Sequence, residues 1–330
     1  MKRIKVAFYD THSYDRKAFE EMNKRFQFDI DYFDFKLNEK TASASKGFDA
    51  VCIFVNDIVN DRVVEILREN DVKVIALRCA GFNNVDMKAC EKAGINVVRV
   101  VSYSPHAIAE HAVAMLLSLT RHLPQAYLRT KTGNFTLDGL TGRELDGLTA
   151  GIIGTGKIGK TMAELLSGFG MHIILYDPYM DHNWAKDMGF QYAGIDDLFK
   201  QSDVISLHCL LTEETFHVIN EKSISIMKDN VVLINTGRGA LIDSAALVNA
   251  LKKGKIGGAA LDVYEEESQY FFNDWSAQTI TDDILARLLT FPNVLITSHQ
   301  AFLTENALSA IAETTLSNIR NRLIEDFLDV

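Results

Sequence analysis

Short apolar segments alternate with amphipathic segments along nearly the whole chain, and this alternation limits the possible folds more than any other feature. In the first hundred residues the apolar segments lie at 4–9, 28–33, 50–55, 72–77 and 95–100. Strands that alternate with helical segments are typical of βαβ units, in which the strands form a parallel sheet. The first hundred residues therefore predict a compact α/β domain.

A second series of the same kind follows, with apolar segments at 147–154, 172–177, 203–209, 230–235, 257–263 and 293–298. The stretch 104–123 between the two series is apolar over most of its surface and has Pro105 where a helix would begin, so it predicts a buried helix that joins two domains. A last amphipathic helix is predicted from an apolar face made of Leu308, Ile311, Ala312, Thr315, Ile319 and Leu323.

Composition and charge exclude several classes of protein. A formal net charge of −10 argues against a nucleic-acid surface and against binding to anionic membranes. No apolar run approaches the ~18 residues of a membrane span, and the apolar start of the chain is too short for a signal peptide. The cysteines lack zinc-like spacing, and His106 with Glu110 lacks a third ligand, so no metal site is expected. We expect a cytoplasmic protein with reduced cysteines.

The hexapeptide GTGKIG follows an apolar strand and begins a helical segment. Gly154 permits a tight turn, Gly156 lets the backbone approach a pyrophosphate, and Gly159 allows close helix–strand packing. Asp177 ends the next predicted strand, where a carboxylate can bind the ribose hydroxyls of NAD and repel the extra phosphate of NADP. The pattern predicts an NAD site, with a glycine-rich turn that binds no ligand as the alternative.

Three polar residues follow later strands of the second series, namely Arg238, Glu267 and His299. Each has a simpler interpretation: Arg238 as a solvated arginine, Glu267 as part of a solvated run of charges, and His299 as a capped or solvated histidine. However, the carboxyl ends of parallel strands meet at one edge of a sheet, where such sheets bind their ligands. There an arginine can bind a carboxylate with two hydrogen bonds, and a histidine oriented by a glutamate can donate and accept a proton.

The motifs GTGKIG…YDP, NTGRGALID, LDVYEEE and SHQAF, in this order, resemble those of the D-isomer-specific 2-hydroxyacid dehydrogenases. The stretches CIFVND, IALRCAGFNNVD and HQAFLTENAL extend the similarity over nearly the whole chain, and most strongly to the bacterial fermentative D-lactate dehydrogenase branch. The resemblance implies an α/β fold with two Rossmann-like or flavodoxin-like parallel-sheet domains and a cleft between them.

The resemblance also implies roles for individual residues. Arg238 would hold the substrate carboxylate, His299 would be the acid and base, and Glu267 would be its partner. The backbone amides of Ala80 and Gly81 would help to bind the carboxylate, and Phe54 and Tyr103 would line the substrate pocket. Beyond the three glycines and Asp177, the residues implied to surround NAD are Lys157, Ile158, Cys209, Leu210, Thr215, Thr236, Gly237 and Asp262.

The implied organisation places a substrate domain at 1–101 and 300–330, with an NAD domain at 102–299 inserted between these segments. The apolar helix after residue 104 would serve a homodimer or homotetramer. The implied reaction is the NADH-dependent reduction of pyruvate to D-lactate. Two alternatives remain open: a related enzyme for another small 2-keto acid, and an NAD-sensing binding protein without catalytic activity.

Overall fold

Each of the two series of apolar segments forms its own parallel sheet in the computed structural model. The structure describes residues 3–328, with side chains through residue 324. The chain divides into a first unit, up to Ser104 and again from Leu303, and a second unit, Pro105–Phe302. The predicted α/β class with two parallel-sheet domains is confirmed.

The first unit has a five-stranded sheet in the order β2-β1-β3-β4-β5. Its central strands are buried on both faces because βαβ connections cover both sides of such a sheet. The chain runs outward from β1 to β2 and then returns to β3, which makes the β1/β3 edge the point where the strand order reverses. The elements are β1 (Lys5–Phe8), α1 (Ser13–Phe26), β2 (Asp29–Tyr32), β3 (Ala50–Ile53), α2 (Asp61–Glu69), β4 (Val74–Leu77), α3 (Met87–Ala93) and β5 (Asn96–Arg99).

The second unit has a seven-stranded parallel sheet in the order β12-β11-β10-β9-β6-β7-β8. Its strand order reverses between β6 and β9. The helices are α4 (Pro105–Thr120), α5 (Leu123–Lys131), α6 (Lys157–Gly168), α7 (His182–Met188), α8 (Ile195–Gln201), α9 (Glu221–Ile226), α10 (Ser244–Lys252) and α11 (Asp283–Thr290). The strands are β6 (Thr149–Ile153), β7 (His172–Tyr176), β8 (Gln191–Tyr192), β9 (Val204–Leu207), β10 (Val231–Asn235), β11 (Ile256–Leu261) and β12 (Val294–Ile296).

The last helix, α12 (Glu305–Leu328), returns to the first unit and packs against α1 and β4. Most of its predicted apolar face is buried, with Leu308 half-buried and Ala307 and Leu316 as additional buried members. The predicted face is therefore confirmed, with a somewhat wider buried surface.

The connection between the units differs in detail from the sequence expectation. The apolar helix ends at Thr120, because His122 adopts a left-handed backbone (φ 51°) and the separate helix α5 begins at Leu123. The two unit boundaries lie at 104/105 and 302/303 rather than at 101/102 and 299/300. Hydrogen bonds from the amides of Gln300 and Ala301 to the Asp262 carboxylate tie this turn to the second unit.

A buried arginine joins the strand ends of the first unit. Arg78, which follows β4, is 1% exposed, and its guanidinium donates to the carbonyl oxygens of Tyr9 (3.1 Å) and Asp10 (2.6 Å). Its Nε lies 3.4 Å from Oδ1 of Asp15, which is also buried. The guanidinium lies 4.7 Å from the centre of the Phe54 ring. Arg78 thus connects α1 to the ends of three neighbouring strands.

We expect Arg78→Met to lower the free energy of unfolding by about 3–5 kcal/mol, because it leaves the buried Asp15 carboxylate without its cation. Urea denaturation followed by circular dichroism measures this loss. Arg25→Met is the matched control, since Arg25 pairs with Glu313 on the surface and such pairs contribute about 0–1 kcal/mol. Equal losses in the two variants would contradict the structural role of Arg78.

Candidate active site

The structure brings two of the three strand-end residues of the second unit into direct contact. His299 Nδ1 lies 2.8 Å from Glu267 Oε1, and the two side chains are 18% and 21% exposed. The other carboxylate oxygen, Oε2, accepts a hydrogen bond from the backbone N–H of Tyr264 at 3.0 Å. Because Nδ1 faces the carboxylate, Nε2 is the ring nitrogen that can exchange a proton with a bound molecule.

The turn that carries His299 is held by a buried carboxylate. His299 has a left-handed backbone (φ 53°), and its N–H donates to the Asp262 carbonyl at 2.7 Å. Oδ1 of Asp262 accepts from Thr297 Oγ1 (2.5 Å) and the Gln300 amide (2.8 Å), and Oδ2 accepts from the Ala301 amide (2.9 Å). Burial would raise the pKa of Asp262, but hydrogen bonds from the His111 side chain and from these donors hold it below its usual range.

The resemblance placed Asp262 beside NAD, and that role stays a prediction. The structure shows an aspartate with 0% exposure whose carboxylate is bonded to the histidine turn. His111 of α4 joins this network, with Nε2 3.1 Å from Thr297 Oγ1 and 3.5 Å from Asp262 Oδ1. The sequence analysis did not identify His111 or Thr297. For His111, the available signal was a histidine on a mostly apolar helix.

Asn235, the last residue of β10, shapes the loop that carries Arg238. Its amide nitrogen donates to the Arg238 carbonyl at 2.9 Å, and its Oδ1 accepts from the Gly237 amide at 3.0 Å. The Arg238 guanidinium is half-buried and donates to the Gly237 carbonyl at 2.8 Å. Among the side chains of residues 3–324, no carboxylate lies within ion-pair distance of Arg238. The guanidinium can therefore bind an anion.

The two glycines that flank Arg238 differ in their steric surroundings. A Cβ at position 239 would overlap with the backbone of Tyr264 and Glu265, so this residue must be glycine. A Cβ at position 237 would meet nothing closer than Leu241 at 3.4 Å, an ordinary contact. The close approach of the backbone therefore requires glycine at position 239, whereas Gly237 has no such steric requirement.

The GTGKIG loop lies where the strand order of the second sheet reverses. Gly154 has φ 94°, and a Cβ there would overlap with the backbone of His208 and Cys209 after β9. A Cβ on Gly159 would overlap with the Gly154 carbonyl, whereas a Cβ on Gly156 would have nothing within 4 Å. Gly154 and Gly159 are thus required by the fold, and Gly156 leaves open space at the first turn of α6.

Asp177 follows β7 and holds the tip of this loop. Its Oδ2 accepts from the Thr155 amide at 2.6 Å, and its Oδ1 accepts from the Tyr179 amide at 2.8 Å. Burial lowers the pKa of the neighbouring His208 to about 4 and raises the pKa of Cys209 to about 11, so both side chains are neutral near pH 7. His208 was not among the predicted residues.

The remaining residues implied to surround NAD lie on the same loops. Lys157 is exposed and Ile158 half-buried in the first turn of α6, and Leu210 is 82% exposed. Thr215 Oγ1 donates to the Leu210 carbonyl at 2.6 Å, which closes the loop after β9. Thr236 is buried, and its hydroxyl has no hydrogen-bond partner within the described part of the chain.

The residues implied to bind substrate in the first unit follow its strands. Phe54 follows β3 and is buried, and Tyr103 is half-buried. Ala80 and Gly81 follow β4, and within the described residues neither backbone N–H has a hydrogen-bond partner. The Ala80 carbonyl is fixed by Arg99 Nη1 at 2.5 Å. Two adjacent amides are therefore available to an acceptor such as a carboxylate.

Comparison with known proteins gives one consistent result. The family model described as "D-isomer specific 2-hydroxyacid dehydrogenase, NAD binding domain" matches residues 113–301. D-lactate dehydrogenase of Escherichia coli is 51% identical over 318 residues, which cover 96% of this chain and 96% of that protein. The chain belongs to the D-isomer-specific 2-hydroxyacid dehydrogenases.

Solved structures of similar proteins agree with this assignment. The apo-structure of Escherichia coli D-lactate dehydrogenase superposes with a TM-score of 0.90 at 49% identity, covering 98% of both chains. The pyruvate reductase of Chlamydomonas reinhardtii gives a TM-score of 0.93 at 41% identity, covering 98% of this chain and 97% of that one. This dehydrogenase is therefore an NAD-dependent oxidoreductase.

The residues of the second unit fit NAD. The open space at Gly156 lies at the N-terminal end of α6, where backbone N–H groups and the helix dipole favour phosphate. The buried Thr236 hydroxyl has no hydrogen-bond partner among the described residues, and Asp177 directly follows β7, as the ribose-binding pattern requires.

The side chains of residues 3–324 contain no cluster of three metal-binding groups. No helix in the described part of the chain is long and apolar enough to cross a membrane.

We expect Gly156→Ala to weaken NADH binding by about tenfold or more, because the added methyl group occupies the space that the pyrophosphate needs. Fluorescence titration with NADH measures the dissociation constant. Thermal stability should stay within a few degrees, since the methyl group meets no protein atom within 4 Å. Gly168→Ala, at an equally open position of α6, is the control; an unchanged NADH affinity in Gly156→Ala would contradict the assigned role.

Proposed function

We propose that this dehydrogenase interconverts pyruvate and D-lactate with NADH and NAD. The observation that carries the proposal is the 2.8 Å contact between His299 Nδ1 and Glu267 Oε1, with Arg238 on the neighbouring strand's loop. Support for the substrate comes from the relatives, two of which are named D-lactate dehydrogenase and pyruvate reductase.

Arg238 binds the substrate carboxylate in this proposal, because its guanidinium can form two parallel hydrogen bonds with a carboxylate. The unpartnered amides of Ala80 and Gly81 supply further donors to the same group. The resemblance assigns Phe54 and Tyr103 to the pocket for the substrate side chain. Local donors thus bind an anion although the chain has a net charge of −10.

His299 is the acid and base. In the reducing direction Nε2 of the protonated imidazole donates a proton to the keto oxygen, and in the oxidising direction it removes that proton. Glu267 orients the ring through Nδ1. NAD, when bound, supplies the hydride chemistry.

The cofactor site is proposed to consist of the GTGKIG loop and the residues that the resemblance assigned to it. Asp177 binds the ribose hydroxyls and disfavours the extra phosphate of NADP, while the neutral side chains of Cys209 and His208 add no second charge. The second unit is accordingly the NAD domain, and the first unit with α12 is the substrate domain.

We also propose a cytoplasmic homodimer or homotetramer. The segment 123–137 carries five large apolar side chains that are more than half exposed, and a second copy of the chain would remove them from water. They are Leu123, Tyr127, Leu128, Phe135 and Leu137.

All four cysteines are free, which agrees with a reducing compartment.

The proposal predicts that pyruvate has the highest kcat/KM in a panel with glyoxylate, hydroxypyruvate, phosphohydroxypyruvate, phenylpyruvate and 2-ketoisocaproate. NADH oxidation at about 340 nm and chiral chromatography of the product test this. Preference for another acid would contradict the lactate assignment and favour a related dehydrogenase. Absence of turnover with all six acids, with NADH still bound, would instead favour a non-catalytic binding protein.

Replacement of Glu267 by Gln removes the carboxylate that faces His299 Nδ1. We expect kcat of pyruvate reduction to fall, because the ring is then less well oriented for proton transfer. Steady-state kinetics of NADH oxidation measure this loss, and a parental kcat would exclude the pairing from catalysis.

A further inference from the structure

Three neighbouring strands of the second sheet deliver loops that are bonded to one another. The Ile219 amide in the loop after β9 donates to the Leu241 carbonyl at 3.0 Å, and the Asp243 amide donates back to the Ile219 carbonyl at 2.8 Å. The part of the loop after β10 that follows Arg238, at 240–243, is therefore paired with the segment after β9.

A second histidine–glutamate pair joins these loops to the segment after β11. His217 Nε2 lies 2.5 Å from Glu265 Oε1, and the side chains are 27% and 24% exposed. The other oxygen of Glu265 accepts from the backbone amide of Ser244 at 3.4 Å, at the first turn of α10. One carboxylate thus connects the β9 loop with the helix that follows the arginine loop, where the helix dipole also favours a negative charge.

The pair lies next to the two residues that follow Arg238. The His217 backbone N–H donates to the Ala240 carbonyl at 2.9 Å, two residues beyond Arg238. Gly239 packs so closely against the backbone of Tyr264 and Glu265 that no side chain fits there. Removing the pair would therefore remove a side-chain link that supports the arginine loop against the segment that also carries Glu267.

We propose that His217 and Glu265 form a positioning pair, which fixes the loop of Arg238 against the segment of Glu267 and thereby sets the affinity for the substrate carboxylate. The proposal rests on the role of Arg238 proposed above. Neither side chain of the pair touches the reacting atoms in this account; both act through the backbone that follows Arg238.

Glu265→Ala and His217→Gln in the full-length enzyme test the pair. We expect KM for pyruvate to rise about tenfold in Glu265→Ala, which is within the range of interaction energies measured between contacting residues. KM for NADH should stay within about twofold of the parent value. The inhibition constant of oxamate, an unreactive carboxylate of the size of pyruvate, should rise in parallel. Glu266→Ala is the control, because Glu266 is exposed and lies directly between Glu265 and Glu267.

A double-mutant cycle separates positioning from a general loss of structure. If Glu265 acts through Arg238, Glu265→Ala should add little to the loss already caused by Arg238→Gln. Independent, multiplicative losses would overturn the proposal, and so would a parental pyruvate KM in Glu265→Ala. If Glu265→Ala does not fold, Glu265→Gln retains one acceptor oxygen and should show a smaller rise in KM of the same kind.

The same cycle distinguishes failure of this inference from failure of the proposed function. A parental KM in Arg238→Gln would refute the carboxylate-binding role of Arg238 itself. A raised KM in Arg238→Gln together with a parental KM in Glu265→Ala would refute only the positioning pair.

Discussion

The active site of the second unit depends on the buried carboxylate of Asp262. His299 adopts a left-handed backbone, which is uncommon for residues other than glycine and persists when the surroundings fix it. Asp262 provides this restraint, since its carbonyl and both carboxylate oxygens accept hydrogen bonds from the turn 297–301. These donors also allow an ionised group to be fully buried. Glu267 meets Nδ1 only because this turn presents the ring in that orientation.

The charges of the second unit are placed where the two proposed ligands need them. Near the glycine loop, His208 and Cys209 are neutral because of burial. Among the predicted cofactor contacts on the described part of this loop, the negative charge that can repel the extra phosphate of NADP belongs to Asp177. Near the proposed catalytic pair of His299 and Glu267, the Arg238 guanidinium has no carboxylate partner among the side chains of residues 3–324. An acidic protein can therefore select an anionic substrate, because affinity depends on these local groups and net charge acts mainly at longer range.

The sequence predicted the parts of this structure that follow from periodicity and from strand ends. The two parallel sheets, the position of Asp177 and the convergence of Glu267 with His299 belong to this class. It did not predict β8, which has two residues and leaves no pattern, or the break at His122. It also did not reveal Asn235, His111 and the buried Arg78. Their roles arise from hydrogen bonds between segments far apart in sequence, which no local pattern records.

Residue type and pairing alone do not identify a catalytic histidine in this protein. The segment 264–267 contributes glutamates to two histidine pairs, and the shorter contact, 2.5 Å, belongs to His217. The difference lies in the nitrogen that each ring uses. His217 bonds Glu265 through Nε2, and its ring is stacked on Phe216 with centroids 3.9 Å apart. His299 bonds Glu267 through Nδ1, so its outer nitrogen, Nε2, makes no hydrogen bond within the described residues. Each arrangement leaves one ring nitrogen without a hydrogen bond among the described residues. The proposed catalytic role of His299 therefore rests on its place at a strand end beside Glu267 and not on the pairing itself.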